Sequence, residues 1–245
     1  MRFIISLIFI FAVTATHLSA QKAVTTFGIL LRPGFPSAYF RTGPISFSDS
    51  TTSFSLVQES GLSYGGVVRH EFDKRFSVES GIVYTRRNYR FNLSDGPYSE
   101  SGAFRIIGYE IPLTGLVTIQ LGESLHMSAG LGASLDLYPS DVSTSGNNYL
   151  HYSARKRTSN LALNAQLGAE WRSRKSGWIY LGFLYHRSAS PTYTTLIEYY
   201  PNADFAGAYA TQGRTELQGD YFGAELRYYF HQSPEKREER KRNSR

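Results

Sequence analysis

The sequence predicts an all-β chain, an eight-stranded antiparallel up-and-down barrel that crosses a membrane through its strands. Three observations predict it. The composition favours strands and turns over packed helices, with 18 Tyr, 16 Phe and 22 Gly but only 2 Met among 245 residues. Eight segments alternate apolar and polar residues with period two, the pattern of half-buried strands. The links between those segments are short and long by turns, as expected for hairpins at one end of a barrel and loops at the other.

The elements follow in chain order. Met1-Arg2 is a short positive start, Phe3 to Val13 is an apolar core, and a small, polar run leads up to Gln21, which together predict a signal peptide over 1–20. An apolar run of about eleven residues falls short of the ~20 needed by a spanning helix. The barrel is predicted over 21–230, with strands at 23–32, 60–72, 76–91, 103–120, 125–138, 157–172, 177–188 and 213–230. Asp73-Lys74-Arg75, 121–124 and 173–176 read as short polar turns. The longer links, 33–59, 92–102, 139–156 and 189–212, are rich in Ser, Thr, Gly, Asn and Pro. Over 231–245 the chain carries six Lys/Arg, three Glu and no apolar residue, which predicts a basic flexible tail. An even strand count puts both termini on the periplasmic side of an outer membrane.

The faces of single strands set the direction of burial. In the fourth, Tyr109, Ile111, Leu113, Val117 and Ile119 oppose Glu110, Thr114, Thr118 and Gln120, with Pro112 and Leu116 out of pattern. In the sixth, Leu161, Leu163, Ala165, Leu167, Ala169 and Trp171 oppose Asn160, Asn164, Gln166, Gly168 and Glu170. A soluble barrel would alternate too. The export signal, faces of membrane length, and aromatics near strand ends (Tyr109, Tyr138, Trp171, Trp178, Tyr228 and Phe230) favour the apolar side facing lipid. The polar faces then meet inside, and at eight strands the interior is only wide enough for side chains. That lumen is expected to hold Arg69, Glu71, Glu79, Arg87, Glu110, Asp136, Glu170, Glu225 and Arg227 as a structural network, because buried charges must pair. In the last strand Phe222, Ala224, Leu226, Tyr228 and Phe230 share one face, which reads as the terminal signal recognised by the barrel-insertion machinery.

The run Tyr109-Glu110-Ile111-Pro112-Leu113, followed by a strand, a short turn and Ser128-Ala129-Gly130-Leu131-Gly132, resembles the small outer-membrane barrels of the Bacteroidetes, the PorT-like family. The hairpin over 72–84 and the Ala20-Gln21 junction are similar to theirs as well. The resemblance covers essentially the whole mature chain and implies a barrel in an outer membrane. Its motifs are architectural and bring no catalytic residue with them. One branch of the family is associated with protein secretion, which implies a component of a secretion apparatus as an alternative role.

Chemistry is thin elsewhere. With no Cys, the chain has no disulfide, thiolate nucleophile, Cys-ligated zinc or lipidated anchor. The net charge of +6 is half in the tail, and an exported protein does not meet nucleic acid, so no nucleic-acid partner is expected. His17, His70, His126, His151, His186 and His231 form no metal-binding motif. A Ser/His hydrolase needs His126, His151 or His186 beside a serine, but no GxSxG elbow selects one. Ser63-Tyr64-Gly65-Gly66 lies inside a strand pattern and reads as a bulge or close packing, not a phosphate cradle. The expectation is therefore no catalytic residue, no cofactor and no metal. The expected partners are outer-membrane lipid, the insertion machinery, and a protein bound by the outer loops or the tail. Two more roles are compatible with a small barrel, a narrow channel and a lipid-modifying enzyme. Aromatics in the long links, including Phe35, Phe54, Tyr193, Tyr199 and Tyr200, have three fates: covering the barrel mouth, extending strands, or anchoring a partner.

Overall fold

The computed structural model describes residues 24–36, 44–49, 52–173, 176–201 and 211–231. The expected signal peptide and the tail beyond His231 lie outside the described residues, as do four further aromatics of the long links, Tyr39, Phe40, Phe205 and Tyr209. Thirteen strands are present among the described residues. Eight make the barrel: β1 (Val24–Phe35), β3 (Thr52–Glu71), β4 (Phe76–Asp95), β5 (Tyr98–Gln120), β6 (Leu125–Leu137), β9 (Ser159–Ser173), β10 (Gly177–Ser188) and β13 (Tyr221–Tyr229). The others are β2 (Ile45–Asp49), β7 (Val142–Ser145), β8 (Tyr149–Arg155), β11 (Tyr193–Tyr199) and β12 (Thr211–Leu217). Each barrel strand pairs antiparallel with the next, and β1 closes the ring by pairing with both β13 and β3. The chain is an all-β, eight-stranded, up-and-down barrel.

Short turns gather at the end where the described chain begins and stops. Asp73 accepts hydrogen bonds from the backbone N–H of Arg75 (2.6 Å) and Phe76 (2.7 Å), and those bonds, Phe76 first, hold its carboxyl below the usual range. The next turn closes where Leu121 N–H donates to the Leu125 carbonyl at 2.9 Å. In the third turn Gly177 has φ +81°, and a Cβ there would strike the Tyr229 carbonyl oxygen, so only glycine fits.

The opposite end departs from the sequence expectation. The segment 92–102 is not a loop: β4 and β5 run through it to a two-residue turn at Gly96-Pro97, with Asp95 facing Tyr98. The link 139–156 holds β7 and β8, and 189–212 holds β11 and the start of β12. The expected strand 213–230 is two strands, β12 and β13, separated at 218–220. β12, β11, β8 and β7 form a second, four-stranded sheet. β3, β4 and β5 have 20, 20 and 23 residues, about twice the 9–11 that a tilted membrane strand requires. Their far halves, with β2 added to β3, form one wall of a head, and the second sheet is the other.

Side-chain direction reverses chemical sense between the two parts. In the barrel half, leucines 131, 161, 163 and 181 are exposed and outward, while Arg69, Glu79, Glu170 and Arg227 are buried and inward. In the head, the inward residues are Phe54, Leu56, Tyr89, Phe91, Leu93, Phe104, Ile106, Tyr149, Tyr193, Ile197 and Tyr199, a continuous apolar core. Tyr138 and Leu217 complete that core. A β-bulge between Glu59 and Leu62 carries β3 across the boundary by inserting one residue.

Candidate functional site

Alternation alone assigns the lumen. On β1, outward Phe27, Ile29 and Leu31 leave Leu30 and Arg32 pointing in. On β13, inward Tyr221, Glu225, Arg227 and Tyr229 alternate with Phe222, Ala224, Leu226 and Tyr228, which face out together with Phe230. β3 supplies Arg69 and Glu71, β4 Glu79 and Arg87, β5 Glu110, β6 Asp136, and β9 Asn164, Gln166 and Glu170. Two aromatics expected on an outer girdle lie elsewhere: Tyr138 is buried in the head core, and Trp178 packs inside against Tyr229. Their strand parity puts them on the same face as Asp136 and Tyr180.

Every expected lumen charge except Asp136, which pairs with His186, joins one ladder together with Arg32 and Arg172. At the mouth with the short turns, half-buried Glu71 pairs with Arg172 at 2.8 Å, and Arg172 also reaches Glu170 at 2.7 Å. Glu170 pairs with Arg69, which reaches Glu79 at 3.1 Å and donates to the Tyr229 hydroxyl at 2.8 Å. Glu79 and Glu225 share Arg227, which also donates to Gln166. Glu225 accepts from Arg32 at 2.7 Å, and Arg32 passes on to Glu110 at 3.1 Å. Glu110 takes the Tyr221 hydroxyl at 2.8 Å and Arg87 at 3.5 Å, and Arg87 ends the ladder on the Tyr138 hydroxyl at 3.1 Å. Each of the five arginines lies over an aromatic ring, including Arg69 over Tyr229 at 4.5 Å and Arg227 over Tyr180 at 4.8 Å. Rings and carboxylates thus replace the water a guanidinium loses on burial.

Arg32 and the tyrosines 180, 221 and 229 were not among the expected lumen residues. Arg32 stands at the end of the segment read as the first strand, and its inward parity was the signal available. The tyrosines read as apolar in a two-letter pattern, although each hydroxyl can take part in a polar network.

Two other clusters bear on chemistry. Ligand atoms of Glu110, Asp136 and His186 come within 4.8 Å of one another. Every one of them is already engaged: Glu110 by Arg32, Arg87 and Tyr221, and His186 by Asp136 (2.9 Å) and Asn164 (2.8 Å). A dication there would sit beside two guanidiniums, so the donor set fits an ion-pair network better than a metal. In the head, His151 Nε2 meets Ser153 Oγ at 2.8 Å, and Ser153 meets Thr195 at 2.7 Å. The other nitrogen of His151 meets Thr144 at 3.1 Å, where a hydrolase triad would place a carboxylate. Burial pulls this imidazole down to about 4, its ring stacked on Phe104 at 4.0 Å. His126 lines a cavity of about 1150 Å³ at the mouth with the short turns, far in the fold from either cluster.

The outer face carries a boundary. Tyr64, Tyr84 and Tyr109 stand side by side on β3, β4 and β5, with ring centroids 4.9 and 5.8 Å apart. On the barrel side the outward residues include Val68, Val78, Ile82, Ile111 and Leu113, with Ser80 bonded to the Pro112 carbonyl; on the head side they include Arg86, Asn88, Arg90, Asn92, Arg105 and Ser101, with Ile107, across from Arg86, and Ala103 among them. A row of tyrosines between an apolar and a polar band is what a membrane interface selects.

No family model matches the chain, and no curated protein matches it. Among solved structures, the outer membrane protein OprG from Pseudomonas aeruginosa is similar over 84% of this chain and 97% of its own, at 13% identity and a TM-score of 0.55. The translocator domain of the autotransporter NalP from Neisseria meningitidis aligns over 90% of this chain and 93% of its own, at 10% identity and a TM-score of 0.35. The first likeness shows that the fold is that of an outer-membrane β-barrel, and the second is too distant to add to it.

Proposed function

We propose that the chain is an integral outer-membrane barrel with both described ends on the periplasmic side. Its lumen is closed by its own ion pairs, and its head is the part that meets a partner outside the cell. The observation that carries this reading is the reversal of side-chain polarity across the Tyr64–Tyr84–Tyr109 row. On one side the surface suits hydrocarbon and on the other it suits water. No catalytic step is proposed, since the Ser153–His151 pair is buried in the head core and the Asp136–His186 pair is tied into the lumen network.

Fractionation and reconstitution test the reading together. The mature protein is expected in the outer-membrane fraction, with heat-modifiable gel mobility and no large, stable single-channel current in planar bilayers. Recovery from the periplasm without detergent ends the membrane placement, while large steady currents end the closed lumen. The resemblance of 109–113 and 72–84 to PorT-like barrels of the Bacteroidetes favours a second reading, a component of an outer-membrane secretion apparatus. A deletion strain that secretes its full set of cargo proteins removes that role.

A further inference from the structure

Just beyond the aromatic row, the outer face carries cations that the lumen network does not use. Arg86, Asn88 and Arg90 succeed one another on the outward face of β4, and Arg105 on β5 lies directly across from Asn88. Arg105 is therefore diagonal to both arginines, at a spacing of roughly 7–8 Å. Arg90 is already neutralised by Glu59 at 2.7 Å. Arg86 and Arg105 make no ion pair with any described residue. Arg105 is exposed, whereas Arg86 is half-buried and its Nε is shielded from solvent with no acceptor in reach. Elsewhere in the head, Arg155 and Lys156 have their carboxylates, Asp141 and Glu216, and the exposed Arg157 and Arg214 do not adjoin the Tyr84–Tyr109 row on β4 and β5.

Position identifies the chemistry. Tyr84 lies next to Arg86 on the membrane side and faces Tyr109, and Ile82, Ile111 and Leu113 continue the same surface into the apolar belt. A molecule that reaches both arginines while lying on that belt has an anionic head and acyl chains. Guanidinium forks match the tetrahedral oxygens of a phosphate, and two of them at diagonal spacing can hold one group from two sides. We infer that Arg86 and Arg105 bind the phosphate of a phosphorylated glycolipid in the outer leaflet, with its acyl chains against Ile82, Ile111 and Leu113. The inference rests on the membrane placement proposed above.

The test uses the mature protein folded in detergent, with diphosphoryl lipid A and its dephosphorylated form as probes and native mass spectrometry as the readout. Wild type is expected to retain the phosphorylated lipid in preference to the dephosphorylated one. The R86Q/R105Q variant should lose about tenfold in occupancy of the phosphorylated lipid. Arg214→Gln, at an exposed cation on β12 of the head and away from the apolar belt, should behave as wild type. Heat-modifiable mobility shows that each variant is folded, and the single variant Arg105→Gln, at an exposed unpaired side chain, gives the same reading if the double variant fails to fold. Equal retention by wild type and variants overturns the site, as does equal binding of both lipids. Complete displacement of lipid by inorganic phosphate at matched concentration overturns the lipid as the source of the phosphate. Failure of the membrane placement shows separately, as wild-type protein that is soluble without detergent.

Discussion

Below the Tyr64–Tyr84–Tyr109 row the chain buries arginine and glutamate and exposes leucine; above it the same strands bury phenylalanine and expose serine. β4 shows both in one uninterrupted strand, with Glu79 and Arg87 inward in the barrel and Tyr89, Phe91 and Leu93 inward in the head. The backbone alternation is identical on both sides, so the strand itself encodes neither arrangement. What differs is the surroundings: water outside the head makes burial of aromatics favourable, whereas lipid offers a leucine no such gain on moving inside. The barrel is held instead by a closed hydrogen-bond ladder and by lumen pairs that cannot be solvated if broken. Two parts built on different driving forces should fail in different ways.

The largest effects test that difference directly. Arg227→Ala takes one of two guanidiniums from each of Glu79 and Glu225, leaving them Arg69 and Arg32, and should cost about 3 to 5 kcal/mol, measured by urea unfolding with heat-modifiability as the readout. Phe91→Ala empties the centre of the head core and should cost a similar ~3–5 kcal/mol, but locally. Limited proteolysis should then cut the head while the barrel keeps its heat-modifiable mobility. If the Phe91 variant fails to insert at all, head and barrel are one cooperative unit and the contrast between them is wrong.

A smaller effect sharpens the boundary between the two. Leu167→Arg on the outer belt, across from outward Phe183, should cost about 2 to 4 kcal/mol if it lies near the bilayer midplane. Ser101→Arg, outward on the head, should stay within about 0.5 kcal/mol. Equal costs at the two positions, measured by the same unfolding assay, would mean that the Leu167 surface does not face hydrocarbon.

The contrast also explains what could be read from the sequence. The eight barrel strands were legible because leucine outside and charge inside give a strong period of two, as in the rows around Leu163 and Glu170. The head was not, for two physical reasons. Its strands are short and rich in serine and threonine, the residues of loops, so 139–156 and 189–212 carry little contrast to read. In β3 the bulge at Glu59 and Leu62 shifts the phase, so that even-numbered Phe54 and Leu56 point inward while odd-numbered Val67 and Arg69 do the same further along. A fixed-phase pattern ends at such a point, which is where the expected strand began at 60 instead of 52. Among the aromatics of the long links, Phe54 in 33–59 and Tyr193, Tyr199 and Tyr200 in 189–212 turn out to be buried rather than exposed anchors. Phe35 alone of the five is exposed and outward, at the end of β1. Pairings inside the lumen, such as Arg32 with both Glu225 and Glu110, join strands far apart in sequence and leave no local trace.

The smallest effect separates head from barrel by pH. His151 is buried against Phe104 and Phe91, with only hydroxyls of Ser153 and Thr144 on its nitrogens, so its folded value of about 4 lies below the ~6.5 of an unfolded histidine. Between those values the unfolded head binds a proton that the folded head does not, and folding therefore weakens as the pH falls. The contribution is fully present above about pH 6.5 and is lost progressively down to about pH 4, amounting to roughly 1 to 3 kcal/mol. Protease cleavage of the head should rise over that window while heat-modifiability of the barrel changes little. His151→Gln keeps a hydrogen-bonding group of similar reach but does not titrate, and it should flatten the pH dependence of cleavage. If the glutamine variant loosens over the same window as wild type, the acid response belongs to other groups, and the lumen carboxylates that hold Arg69 and Arg227 become the next to examine.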